Sequence, residues 1–186
     1  MTRGEFMKIY LLANNVRSTY NVGSLFRLAD AVGVTKLFLT GYTPYPKKEN
    51  DTRPAYVSAK TDKELRKTGL EGIKNVPWEH YDMAVDAIKK LKGSGVKVVA
   101  IEQSPKSQDY LKYFADLSSR AETRDPVTKI CFIVGHEREG VDGELLELAD
   151  AVIEIPMRGK GKSLNVAMAA TVVLYSLLST QPTPSS

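Results

Sequence analysis

Three short stretches concentrate the residue types that can bind and react: Asn21-Val-Gly-Ser-Leu-Phe-Arg27, Gly135-His-Glu-Arg-Glu-Gly140 and Ile155-Pro-Met-Arg-Gly-Lys-Gly-Lys-Ser-Leu-Asn-Val166. The third has the plainest local context. An apolar strand over Ala151 to Ile155 ends at Pro156, passes through a glycine-flanked basic loop, and opens a helix at Ser163 that stays apolar through Leu178. Such a turn sets backbone N–H groups and a helix N-terminus beside the carboxyl end of a strand, where open α/β sheets hold their ligands.

Spacing argues against several chemistries. Gly161-Lys162-Ser163 suggests a phosphate loop, but a P-loop needs a Gly where this chain has Pro156. A serine hydrolase wants Gly-x-Ser-x-Gly around its nucleophile; Lys162-Ser163-Leu164-Asn165 lacks it, although His136 would serve as a base. Two His and one Cys give no zinc spacing, and no G-x-G-x-x-G follows a strand to hold a dinucleotide. The single Cys131 lies in the apolar run Ile130 to Val134, reads as a buried strand residue in a reducing compartment, and excludes an internal disulfide.

Positioning the three stretches requires alternating strands and helices, and the hydrophobic pattern supplies them. Lys8 to Ala13 reads as a strand, Asn14 to Thr19 as a polar loop, and about Tyr20 to Val32 as a helix stopped by Gly33. Lys36 to Thr40 is a second strand, followed by a long Pro- and Tyr-rich loop from Gly41 to Ala59 and a short helix over Thr61 to Lys67. Asp82 caps a helix through Leu91, closed by Gly93 and Gly95. Val96 to Ile101 is a strand, Asp109 to Phe114 a helical turn or loop, Lys129 to Val134 a strand as apolar as a central parallel one, and Asp142 caps a helix through Ala149. This alternation predicts an α/β fold with a mainly parallel sheet and helices on both faces. At 186 residues and 42% hydrophobic content the chain fills one core and is short for two, so one domain is expected over residues 1–186. Its core runs from about 8 to 178, with a disordered tail over 180–186 and no appended RNA-binding domain. Met7 is an alternative start, with residues 1–6 as an upstream extension.

No uninterrupted apolar run reaches transmembrane length and no signal-peptide core opens the chain, so no membrane partner and a cytoplasmic location are expected. The formal charge is +4, and its excess lies wholly in the first half: residues 1–93 hold 16 Lys and Arg against 10 Asp and Glu, while 94–186 hold 10 against 12. The densest region, Lys47 to Lys67, interleaves Tyr42, Tyr45 and Tyr56 nearby. It reads either as a surface that holds phosphates and stacks bases or as a solvated Lys-rich loop. On the first reading Arg17, Lys47, Lys48, Arg53 and Lys60 are candidate RNA-binding residues.

Taken together, the three stretches resemble the ordered motifs of the SPOUT superfamily, specifically its TrmH-like (SpoU) RNA ribose 2′-O-methyltransferases, in register from about Lys8 to Leu178. Lys67-Thr-Gly-Leu-Glu71 to Val76-Pro-Trp78 is similar to the family's segment between its first motif and its cofactor site. The resemblance implies S-adenosylmethionine held in a bent form against a deep C-terminal trefoil knot, a homodimer, and tRNA or rRNA as substrate. By position it implies cofactor loops at Glu102, Gln103 and Ser104, at Gly135, His136 and Glu137, and at Ile155, Pro156 and Met157 with Ser163, Leu164 and Asn165. No metal is required. It gives the base-like role to Arg27, supported by Asn21, Glu137, Ser163 and Asn165. Because a guanidinium is not normally deprotonated in a protein, Arg27 is either an unusual base assisted by an RNA phosphate or a phosphate clamp while another group takes the proton. The alternatives to the enzyme are a SPOUT-like RNA-binding protein without catalysis and a SPOUT enzyme that methylates a base.

Outside the motif each residue has a plainer reading. Asn21 would be a helix N-cap, Gly23 a close-packing position, Arg27 an exposed helix residue, and Ser163 and Asn165 helix starters. Related sequences commonly carry Asn where this chain has His136, and both residues can cap a loop. The last helix is apolar nearly all round, with Val166, Met168, Val172, Leu174 and Leu177 spread over several faces, so cover on more than one side is expected, from a dimer partner.

Overall fold

The structure, a computed structural model, describes residues 7–121 and 129–180. Strands β1 (Lys8–Asn14), β2 (Lys36–Thr40), β3 (Trp78–Tyr81), β4 (Lys97–Ile101), β5 (Gln108–Asp109), β6 (Lys129–Val134) and β7 (Ala151–Glu154) form one sheet in the order β3-β2-β1-β6-β4-β7-β5. Every pairing is parallel. From β4 the chain goes to the edge at β5, returns to the centre as β6 and leaves again for β7. The loops after β4, β6 and β7 therefore lie side by side at the carboxyl ends of neighbouring strands.

The helices are α1 (Thr19–Val32), α2 (Ala55–Gly69), α3 (Gly72–Asn75), α4 (Ala84–Gly93), α5 (Tyr110–Ala121), α6 (Gly143–Leu148) and α7 (Val166–Ser179). Strand residues alternate between two cores, as the period of two demands. Ile9, Leu11, Ala13, Ile130, Phe132 and Val134 meet α1, α2, α5 and α7 on one face. Leu12, Cys131, Ile133, Val98 and Ala100 meet α4 and α6 on the other. Helices α1 and α2 approach closely at Gly23, where a Cβ would stand 2.6 Å from the Leu65 carbonyl oxygen. Burial pushes the Cys131 thiol up, which fits a packing residue and not a nucleophile.

The α/β architecture matches the pattern in the sequence, and several boundaries differ. Helix α1 begins at Thr19, and its cap is Ser18, whose hydroxyl accepts from the Asn21 N–H at 3.3 Å; Asn21 is thereby freed from capping. Helix α2 starts six residues before Thr61, directly after Pro54, so the preceding loop ends sooner than composition suggests. Tyr110 to Phe114 open a full helix that buries Tyr113, Phe114 and Leu117, while Asp109 ends β5 and accepts from the Leu111 N–H at 2.7 Å. Asp82 does not cap α4, which starts after Met83 without a side-chain cap, and α7 starts at Val166, not Ser163. Strand β3 is absent from the sequence reading because it is four residues long with Glu79 and His80 at its middle. Glu79 is stabilised there by Lys36 at 2.5 Å and Lys90 at 3.0 Å. The Lys36 hydrogen bond is the main cause that holds its carboxyl down at about 2, against the opposing effect of burial. Apart from Thr180, the expected tail lies outside the described residues.

Candidate active site

The loop delivered by β6 closes on itself. His136 and Gly140 exchange two backbone hydrogen bonds, each of 2.9 Å. Gly140 has φ +75°, and a Cβ there would enter the Glu102 carboxylate, so a glycine must end the stretch. Glu102, at the end of β4, accepts from the Val141 N–H at 2.7 Å with one oxygen and from the Gln103 N–H at 2.8 Å with the other. It ties the loop after β4 to the loop after β6.

His136 braces the same loop from inside. Its Nδ1 accepts from the N–H groups of Arg138 at 3.2 Å and Glu139 at 3.0 Å, so the ring proton belongs on Nε2. A side-chain amide oxygen can accept the same donors. His136→Asn is therefore expected to hold cofactor affinity within a few-fold in calorimetry, whereas His136→Ala weakens it roughly tenfold, the loss of one or two ordinary hydrogen bonds.

Glu137, the next residue, faces the start of α1. One oxygen accepts from the Arg17 N–H at 3.1 Å; the other accepts from the Ser18 N–H at 3.0 Å and the Asn21 amide at 2.9 Å. A carboxylate only accepts, so Asn21 must turn its NH2 to Glu137 and its oxygen away. That oxygen accepts from the Asn165 amide at 2.9 Å. Asn165 in turn spends its own oxygen capping α7 through the N–H groups of Ala167 at 2.9 Å and Met168 at 3.4 Å. One hydrogen-bond chain thus passes through a residue of each stretch, Asn21 lying 116 positions from Glu137 and 144 from Asn165. Burial works to raise the Glu137 pKa, but the donors from Ser18, Asn21 and Arg17 outweigh it and hold the carboxyl below its ordinary value.

A second network supports this arrangement from below. Asp142 does not cap α6 with its side chain; it accepts from the amides of Asn14 at 2.7 Å and Asn15 at 3.2 Å. The buried Asn14 oxygen accepts from the Thr40 hydroxyl at 2.8 Å. This network escaped the sequence reading, which took Asp142 as a helix cap, although two adjacent Asn at the end of an apolar strand are the available signal.

Between the three loops lies a cleft. Glu102, Gln103, Gly135, His136, Glu137, Ile155, Met157, Ser163 and Leu164 line it. Ser104, Pro156 and Asn165 do not: Ser104 turns back to the N–H of Lys106, and Asn165 is the α7 cap. Ile101, Val134, Ile155 and Leu164 give apolar walls suited to a flat base, while Glu102, Glu137, Glu139 and Glu154 outnumber Arg138. An acidic cleft with apolar walls fits a cationic sulfonium nucleoside such as S-adenosylmethionine. Among the described residues no group of His, Cys, Asp and Glu is placed to hold a metal ion.

Arg27 stands apart. It is exposed on α1, does not border the cleft, and makes no side-chain hydrogen bond or ion pair among the described residues. Of the basic candidates, Arg53 is turned to a structural task. Its guanidinium lies 3.6 Å from the Tyr45 ring centre and donates to Asp51 and to the carbonyls of Tyr45 and Pro46. Lys47, Lys48 and Lys60 are exposed along the same loop and the start of α2, and Arg17 is exposed beside Glu137.

The parallel sheet is the fold of solved TrmH/SpoU RNA-modifying enzymes. An rRNA methyltransferase from Sinorhizobium meliloti, solved with AdoMet bound, superposes with a TM-score of 0.73 over 95% of this chain and 57% of that one, at 25% identity. The chain belongs to the SpoU rRNA Methylase family, whose model matches residues 8–175. A tRNA (guanosine(18)-2'-O)-methyltransferase of Aquifex aeolicus (strain VF5) is 30% identical over 169 residues, 90% of this chain and 67% of the relative. The Escherichia coli (strain K12) enzyme of the same name is 29% identical over 160 residues, 86% and 58%. The chain thus spans between 58% and 67% of the length of these curated relatives.

Proposed function

We propose that this chain transfers a methyl group from S-adenosylmethionine to a ribose 2′-hydroxyl of tRNA or rRNA, acting as a homodimer. The observation that carries the reading is the chain Glu137–Asn21–Asn165, which locks all three motif stretches around one acidic cleft. Bound S-adenosylmethionine supplies a methyl on a sulfonium that is already an activated leaving group. What remains for the protein is to hold the 2′-oxygen in line with that methyl and to let its proton depart. The walls at Ile101, Ile155 and Leu164 would hold the adenine, and the loop of Gly135 to Gly140 would close over it. The exposed Arg27 would meet an RNA phosphate, with the proton leaving either to Arg27 or to water. The trefoil knot that the resemblance implies belongs to this reading, supported by the return of the chain from the sheet edge to β6.

The dimer is supported by α7. Its inner face, Ala167, Ala170, Val173, Leu174 and Leu177, is buried, while Met168 remains 62% and Tyr175 50% exposed one above the other. A second copy of the same helix surface would cover that stripe. Sedimentation is expected to give a dimer at micromolar concentration and a monomer for Met168→Glu.

Two measurements test the function. Calorimetry should show S-adenosylmethionine binding, and nucleoside mass spectrometry of treated tRNA and rRNA should show a 2′-O-methylated nucleoside. Absence of heat would leave an RNA-binding protein without catalysis, and a base-methylated product would overturn the site of transfer.

A further inference from the structure

Adjoining the cleft along the 135–140 loop lies an open groove bordered by Arg17, Ser18, Asn21, His136, Glu137 and Arg138. His136, Glu137 and Arg138 border both cavities, so the two share a rim. The backbone N–H groups of Arg17 and Ser18 are already taken by Glu137, so an anion entering the groove must be met by side chains. The guanidinium groups of Arg17 and Arg138 are exposed and make no bond among the described residues, in contrast to the fully engaged Arg53.

Beside the groove stands Tyr42, 58% exposed, with its ring edge-on to His136 at 6.4 Å between centres. The backbone that carries it is fixed on both sides. Gly41 donates to the Tyr81 carbonyl at 3.0 Å and Tyr42 to the Asn15 oxygen at 3.4 Å. The buried Thr43 hydroxyl accepts from the Val16 N–H at 3.1 Å and lies 3.0 Å from the Ala13 carbonyl. A large ring displayed on a rigid backbone next to two uncommitted guanidinium groups is what an unpaired nucleotide requires, a stacking face together with a phosphate clamp.

We propose that this groove seats the target nucleotide of the RNA, its phosphate between Arg17 and Arg138 and its base on the open face of Tyr42. The ribose then lies at the rim that the groove shares with the cleft. This inference rests on the methyltransferase reading for its purpose and on the groove alone for its test.

A single-stranded RNA of about ten nucleotides with one central 2-aminopurine is titrated into the full chain. Wild type and Tyr42→Phe are expected to quench the fluorescence, and Tyr42→Ala to lose the quench and bind roughly tenfold more weakly. In Arg17→Gln/Arg138→Gln the slope of log affinity against log salt should fall by about 1.4, the contribution of two phosphate contacts on a single strand. S-adenosylmethionine affinity, measured in parallel, should be unchanged in the two Tyr42 variants, since Tyr42 does not border the cleft. Quenching by Tyr42→Ala equal to wild type, or an unaltered salt slope, overturns the proposal. Tyr42-dependent quenching by a protein that takes up no S-adenosylmethionine supports the groove and removes the methyltransferase reading instead.

Discussion

Glu137→Gln is expected to lower methyl transfer by two to three orders of magnitude and to destabilise the fold. In the native loop the carboxylate accepts from three N–H donors at once. A carboxamide offers one oxygen, and its NH2 must then oppose the N–H of Arg17 or the donors of Ser18 and Asn21. Each donor left unpaired costs about 1–3 kcal/mol, and a few kcal/mol of lost positioning equals a hundredfold or more in rate. Asn21 also loses its reason to point its oxygen at Asn165, so the disturbance reaches α7. Turnover and denaturant unfolding, measured together, check this; a variant with native turnover would mean that the hydrogen-bond chain does not organise the site.

The same change alters the acid limb of stability. Because the folded carboxyl titrates below its ordinary value, the unfolded chain binds more protons as pH falls through about 4.3. The stabilisation from Glu137 is complete above that pH and is lost as pH drops through the folded pKa. Wild type should therefore lose part of its stability advantage over Glu137→Gln at acid pH, and the two unfolding curves should converge there.

Arg27→Ala is expected to reduce kcat/KM by roughly 10²–10⁴ while leaving thermal stability nearly unchanged. The side chain is exposed and has no partner to lose among the described residues, so a large effect on rate without an effect on folding would mark contact with the substrate. Arg27→Lys divides the two roles. Lysine keeps the charge but not the planar fork that grips a phosphate with two parallel hydrogen bonds. If the guanidinium itself acts, as base or as bidentate clamp, the Lys variant falls nearly as far as the Ala variant. Near-normal turnover by Arg27→Lys, read in a single-turnover assay, would refute any role that depends on the fork.

The resemblance carried in the sequence reached most of the cleft. Gln103, Gly135, His136, Met157 and Leu164 line it, because motif spacing places loops at the ends of strands. It reached less far for side chains whose task depends on a distant partner. Glu102 reads as a ligand by position and is also a brace, since only the fold shows that the Val141 N–H stands in front of it. Arg53 reads as basic surface and instead packs on Tyr45 above Asp51. Its charge is visible in the sequence; the ring that covers it is not.

By itself the sequence determined the alternation of strand and helix and the two faces of the sheet. Those properties follow from local periodicity and from residue type, which are written along the chain. Only the tertiary structure decided that Asn21 is released from capping by Ser18, that Glu137 and Asn165 meet it from opposite ends, and that Arg27 stays outside the cleft. The pairings of Asn21 with Glu137 and with Asn165 join residues more than a hundred positions apart, and a hydrogen bond is set by the direction of two groups in space, which no local pattern encodes.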